Sequence, residues 1–156
     1  MKRITVLALA VCFQLWPQFP LLGPSPTAAD IIKKICANPD RALAQTCAEN
    51  PEVCDHPEVR DNLPFFRSQN GTLCIRLSCE CLKFDSENFG GLLGRCRKLF
   101  VRDAVFPAPA SSSRDYVKWK QRLNEHTQSD RTNCMACKVL GRSKYESLVG
   151  RACVAD

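Results

Sequence analysis

Cysteine is the residue that most limits what this chain can become. The sequence carries eleven. Each pair that oxidises holds two distant backbone points at a Cα separation of about 4.4–6.8 Å. A fold must therefore satisfy several such constraints at once. The pairing cannot be chosen from the sequence.

The position of the first cysteine sets the compartment. Met1-Lys2-Arg3 is a short basic start, and Ile4 to Trp16 is an almost wholly apolar run containing Cys12. A membrane span needs about 20 apolar residues, so this run is too short and matches the apolar core of a secretory signal. Pro17, Pro20, Pro24 and Pro26 follow, and then Thr27-Ala28-Ala29-Asp30, whose small residues suit signal peptidase. The sequence predicts a signal peptide over residues 1–29, with cleavage after Ala29. Cys36, Cys47, Cys54, Cys74, Cys79, Cys81, Cys96, Cys134, Cys137 and Cys153 then remain, and loss of Lys2 and Arg3 lowers the formal net charge from +6 to +4. Such density in a short exported chain predicts a disulfide scaffold. The end, Cys153-Val154-Ala155-Asp156, has no apolar tail for a lipid anchor and no retention tetrapeptide. The expected product is secreted and extracellular, with no transmembrane segment.

Apolar periodicity and capping residues predict a mainly α, multi-helix protein. Asn38-Pro39-Asp40, Asn50-Pro51-Glu52 and His56-Pro57-Glu58 each place a capping residue, a proline and an acid in order. Proline costs nothing at the first helical position, and the acid complements the positive helix end. Helices are expected over residues 31–37 and 39–49, with short turns to Asn62. Leu92, Leu93, Cys96, Leu99, Phe100 and Ala104 mark an amphipathic helix over residues 92–105, with Arg95, Lys98 and Arg102 opposite and Arg97 at the flank. Residues 107–113, Pro-Ala-Pro-Ala-Ser-Ser-Ser, have linker composition. Three more helices are expected beyond them, over residues 114–126, 131–140 and 144–153. Ser112 with Asp115, and Ser143 with Glu146, resemble capping pairs for the first and last of these. Gly141 would close the middle one.

One section reads differently. Asn70-Gly71 favours a two-residue hairpin turn, since both central positions of that turn need positive φ. Phe65-Phe66 before it and Leu73, Ile75 and Leu77 after it predict one short β-hairpin, with Cys79 and Cys81 on a shared face. Seven of the ten mature cysteines precede residues 107–113 and three follow. Both counts are odd. If every thiol pairs within the chain, at least one bridge joins the two sections, so residues 30–156 are expected to form a single disulfide-stapled domain with the linker-like segment inside it.

Catalytic chemistry finds little support. His56 and His126 are the only imidazoles, and a helix cap and a helix C-terminus account for them. No Gly-x-Ser-x-Gly elbow or His-Glu-x-x-His metal pattern occurs. Cys74-x4-Cys79-x-Cys81 and Cys134-x2-Cys137 have zinc-like or redox-like spacing, but thiols in an exported chain pair first. No cofactor and no metal ligand are assigned, and the chain is not expected to be an enzyme.

Surface chemistry carries the functional expectation. Residues 30–62 sum to −3 and residues 63–156 to +7. Arg95, Arg97, Lys98 and Arg102 form a candidate basic binding face, suited to a sulfated glycan or anionic lipid, although a solvated helix face explains the same residues. Nucleic acid is excluded by compartment and by the modest charge. Asn70-Gly71-Thr72 is an N-glycosylation acceptor. Arg67-Ser68, between Cys54 and Cys74, would serve a protease inhibitor if presented on a rigid loop. The leading expectation is a non-catalytic effector or binding protein that docks on another extracellular protein. Binding of a glycan or anionic lipid, and protease inhibition, are the alternatives.

Overall fold

The computed structural model describes residues 28–39, 43–49, 51, 55 and 57–154. The expected signal segment to residue 27, and Cys54, His56 and the capping residue Asn50, lie outside the described residues. The fold is mainly helical, and no strand occurs among the described residues. The elements are α1 (Ala28–Ala37), α2 (Leu43–Glu49), α3 (Pro57–Arg60), α4 (Leu63–Phe66), α5 (Gln69–Glu80), a 3-10 turn (Leu82–Phe84), α6 (Phe89–Phe100), α7 (Tyr116–His126), α8 (Asp130–Leu140) and α9 (Arg142–Val149).

The expected hairpin at Asn70-Gly71 is replaced by α5. Ser68 sits in extended geometry, and its hydroxyl accepts from the Gly71 N–H at 3.1 Å. That cap starts a helix where a turn was expected. Gly71 is required for proximity, not for positive φ: a Cβ there would lie 2.0 Å from the Phe65 carbonyl oxygen and 2.4 Å from the Phe66 Cα. The chain thus doubles back from α4 onto the first turn of α5. Cys74, Ile75, Ser78 and Cys81 are buried at helical spacing. Cys79 and Cys81 point to different partners and share no strand face.

α5 and α6 form the central pair, with α3 against α6, α4 against α5, and α8 against both central helices. Ile75 and Leu77 from α5, Leu92, Leu93 and Leu99 from α6, Val59 from α3, Phe66 from α4 and Met135 from α8 supply the core. The α6 helix begins three residues before its expected start because Asn88 caps it, accepting from the Gly91 N–H at 2.9 Å. It ends at Phe100, not near Val105. The chain then turns through Ala104, at φ 50, and buries Val105 and Phe106. Ala108 also packs against the core. The linker-like segment is therefore tethered at its start by apolar burial.

The C-terminal helices keep their expected order but change their caps. α7 starts at Tyr116, and Asp115 makes no side-chain cap bond. Ser129 caps α8, with its hydroxyl accepting from the Thr132 N–H at 3.3 Å. Gly141 follows α8 at φ 91, and its N–H donates to the Cys137 carbonyl oxygen at 2.8 Å. The Ser143–Glu146 capping box does not form, because Ser143 is already inside α9. Glu146 instead faces Arg142 at 3.7 Å, one turn away. α9 ends at Gly150, whose φ of 68 is the left-handed closure expected of glycine.

Candidate functional site

The disulfides define the frame on which any site must sit. Cys36–Cys79 joins α1 to α5, Cys74–Cys96 joins α5 to α6, and Cys137–Cys153 joins α8 to the segment beyond α9. Cys81–Cys134 joins the end of α5 to α8 across 53 residues, and so connects the two sides of the 107–113 segment. Cys47 is also disulfide-bonded. Three of these bridges end within Cys74–Cys81, so α5 is the covalent hub. Asp85 reinforces the α8 connection, facing the Arg131 guanidinium at 3.5 Å.

This pairing determines what the cysteine motifs can do. Cys74, Cys79 and Cys81 each belong to a different bridge, as do Cys134 and Cys137. In the oxidised protein none of them offers a thiolate to zinc. Cys134 and Cys137 lie inside α8 and do not pair with each other.

Arg95, Arg97 and Lys98 lie on α6, and Arg102 lies in the turn just beyond it. Arg95 and Arg102 are exposed, while Arg97 and Lys98 are half-buried. Arg95 and Lys98, three residues apart, share one face of α6, and the Arg102 N–H donates to the Lys98 carbonyl oxygen at 3.1 Å just past the helix end. The opposite face, Leu92, Leu93, Cys96 and Leu99, is almost fully buried in the core. Arg102 approaches the Asp103 carboxylate at 3.9 Å, and His126 Nδ1 approaches its other oxygen at 3.3 Å. His126 is thereby placed at the end of α7, beside the chain leaving α6.

The other candidate residues fall apart in space and role. Asn70 is exposed in the first turn of α5, and Thr72 donates its hydroxyl to the Ser68 carbonyl oxygen at 3.1 Å. Arg67 is not carried on an extended loop. It has helical geometry, φ −86 and ψ −15, and its N–H is committed to the Leu63 carbonyl oxygen at 3.1 Å. A substrate-like inhibitor presents an extended backbone with free N–H and C=O groups, so the loop that motivated Arg67 is absent. Phe66 and Trp119 are core residues, and Phe65 is half-buried.

A buried polar cluster at the C-terminal end was not visible in the sequence. Tyr145 is fully buried, and its hydroxyl meets the Thr127 hydroxyl at 2.8 Å. Thr127 donates onward to the Leu123 carbonyl oxygen, which makes Tyr145 the donor in that contact. Asn133 then donates to the Tyr145 oxygen at 3.3 Å and to the Ala152 carbonyl oxygen at 3.2 Å, while its own oxygen accepts from the Val154 N–H at 2.9 Å. The two backbone contacts fix the orientation of the amide. Arg151 covers the end of α7, donating to the carbonyl oxygens of Thr127 at 3.2 Å and Asn124 at 3.1 Å. A cation is well placed at that negative helix end. The available signal was Asn133 beside Cys134 on a helix with an apolar stripe, but its partners are 12 to 21 residues away.

No helix among the described residues is long and apolar enough to cross a membrane. No protein-family model, curated protein or solved structure matches this chain.

Proposed function

We propose that the mature protein is a secreted, non-catalytic binding protein that docks on another extracellular protein. The observation that carries this reading is the covalent cross-bracing of α1, α5, α6 and α8, which suits an oxidising compartment and keeps the surface in one shape. A preorganised surface loses little conformational entropy on association. The test is binding of labelled secreted protein to intact cells and to their secreted proteins. Saturable binding that unlabelled protein displaces, and that reduction with alkylation abolishes, is the expected result. Non-saturable retention, or turnover of a substrate by the purified protein, overturns the reading.

A second reading is favoured by the packing of α6. Its apolar stripe is used in the core, so the exposed side offers charge without an insertable apolar face. That suits a sulfated glycan better than the interior of a lipid surface. Retention on heparin at physiological salt, lost in an Arg95→Ala/Arg102→Ala variant, is the expected outcome. Equal elution of variant and parent removes this face from consideration.

A further inference from the structure

Asn70-Gly71-Thr72 has no part in either reading above, and it lies in a helix. An N-glycosylation acceptor is recognised through two side chains at once, the asparagine amide that takes the sugar and the hydroxyl two residues on. In an extended chain, residues i and i+2 point to the same side. In a helix they are turned apart by roughly 200°. Here Asn70 is exposed, Gly71 is buried and Thr72 is half-buried, all within the start of α5. The Thr72 hydroxyl and the Thr72 N–H both donate to the Ser68 carbonyl oxygen, at 3.1 Å and 2.9 Å. The Gly71 N–H is held by the Ser68 hydroxyl at 3.1 Å, and Gly71 lies against the backbone of Phe65 and Phe66. The folded chain therefore exposes the amide but withholds the pair.

We propose that Asn70 is a glycosylation site that accepts its glycan only before α5 forms, so that folding closes the site. Nδ2 of Asn70 bonds to the anomeric carbon of a lipid-diphosphate-linked oligosaccharide. The bond from that carbon to the diphosphate oxygen breaks, and its electron pair leaves on the lipid diphosphate. The amide gives up one proton to a base of the transferase, and nothing is oxidised or reduced. The window ends when Cys74–Cys96 closes. Cys74 lies one turn beyond Asn70 and is fully buried, so that bridge commits this end of α5 to the core.

A glycan already in place does not obstruct folding. Asn70 is exposed and borders a concavity of about 540 Å³ with Gln69, Thr72, Leu73 and Arg76. The inference rests on the reading that the chain is exported, and not on docking.

The test compares Asn70 with a second acceptor on the same molecule. Ala110→Asn creates one with Ser111 and Ser112, which are exposed and outside the helices. In secretory cells, peptide mass should find a glycan at Asn70 and at position 110, and Asn70→Gln should remove the first alone. A glycan at position 110 with none at Asn70 overturns the proposal and leaves export standing. A glycan at neither position overturns both. Purified oligosaccharyl transferase with its lipid-linked donor then tests the timing, on protein made in a host without N-glycosylation. The reduced and alkylated chain should accept at both positions. The oxidised protein should accept at position 110, and at Asn70 at least about tenfold more slowly than the reduced chain does. Ser68→Ala removes the cap but leaves the acceptor whole, and it should raise transfer to Asn70 in the oxidised protein several-fold. Equal rates at Asn70 in the two forms, an equal loss at both positions on oxidation, or no gain in the Ser68→Ala variant overturns the proposal.

Discussion

The indole N–H of Trp119 donates to the carbonyl oxygen of Val105 at 2.7 Å, in a fully buried position. Val105 lies where the chain has just left α6, and Trp119 is in the first turns of α7. This one contact secures the segment between them and fixes how α7 sits on the core. Phenylalanine at position 119 would fill most of the volume but leave the carbonyl without its partner. Trp119→Phe should destabilise the protein by about 2–4 kcal/mol, the sum of an orphaned acceptor and a small void. Urea unfolding with an unchanged m-value is the measurement. A loss below about 0.5 kcal/mol would mean that the carbonyl finds another donor.

Two glycines should fail for different reasons. Gly71→Ala drives a methyl into the backbone of Phe65 and Phe66, where neither atom can give way. A loss of about 3 kcal/mol or more is expected. Gly150→Ala meets nothing within 4 Å but must adopt φ 68. Its cost should be about 1–2 kcal/mol, the price of left-handed backbone for an L residue. Thermal unfolding of the two variants side by side distinguishes collision from conformational strain. Equal losses would refute that distinction.

Ser78 is fully buried in α5, and its hydroxyl oxygen has no hydrogen-bond partner among the described residues. Removing an unsatisfied polar atom from a core relieves its desolvation cost. Ser78→Ala should therefore leave the melting temperature unchanged or raise it. A fall equivalent to more than about 1 kcal/mol would show that the hydroxyl is bonded.

Asn133→Ala removes the side chain that bridges Tyr145, Ala152 and Val154. A loss of about 2–4 kcal/mol is expected, since buried partners are left unpaired. Amide exchange offers the sharper readout. The Val154 N–H should lose its protection in this variant, while amides within α5 and α6 keep their relative protection order.

Much of the helical pattern was legible because it depends on local spacing. Leu92, Leu93, Cys96 and Leu99 repeat at helical intervals, and they form the buried face of α6. Tyr145 and Leu148 likewise mark α9. The hairpin expectation failed at Asn70-Gly71 because the dipeptide has two uses. Glycine serves a turn through positive φ, or a crossing through its missing Cβ, and only the position of Phe65 distinguishes them. Ser68, three residues before Gly71, was the overlooked cap. The specific pairing of cysteines was not legible, since it reflects contacts across up to 53 residues. Arg67 was misread for a similar reason: the stretch around it contains two short helices, too brief for periodicity to register. The polar cluster around Asn133 needs three helices in place before it exists.

The Cys81–Cys134 bridge has a consequence wherever the protein meets proteases. Residues 110–112 are exposed and lie between its two ends. A nick there would cut the polypeptide without separating the molecule. The product would be a two-chain protein, one water heavier, migrating as one band until a reductant is added. A break at that exposed segment would thus leave both parts of the chain joined, and integrity passes from an amide to a pair of sulfurs.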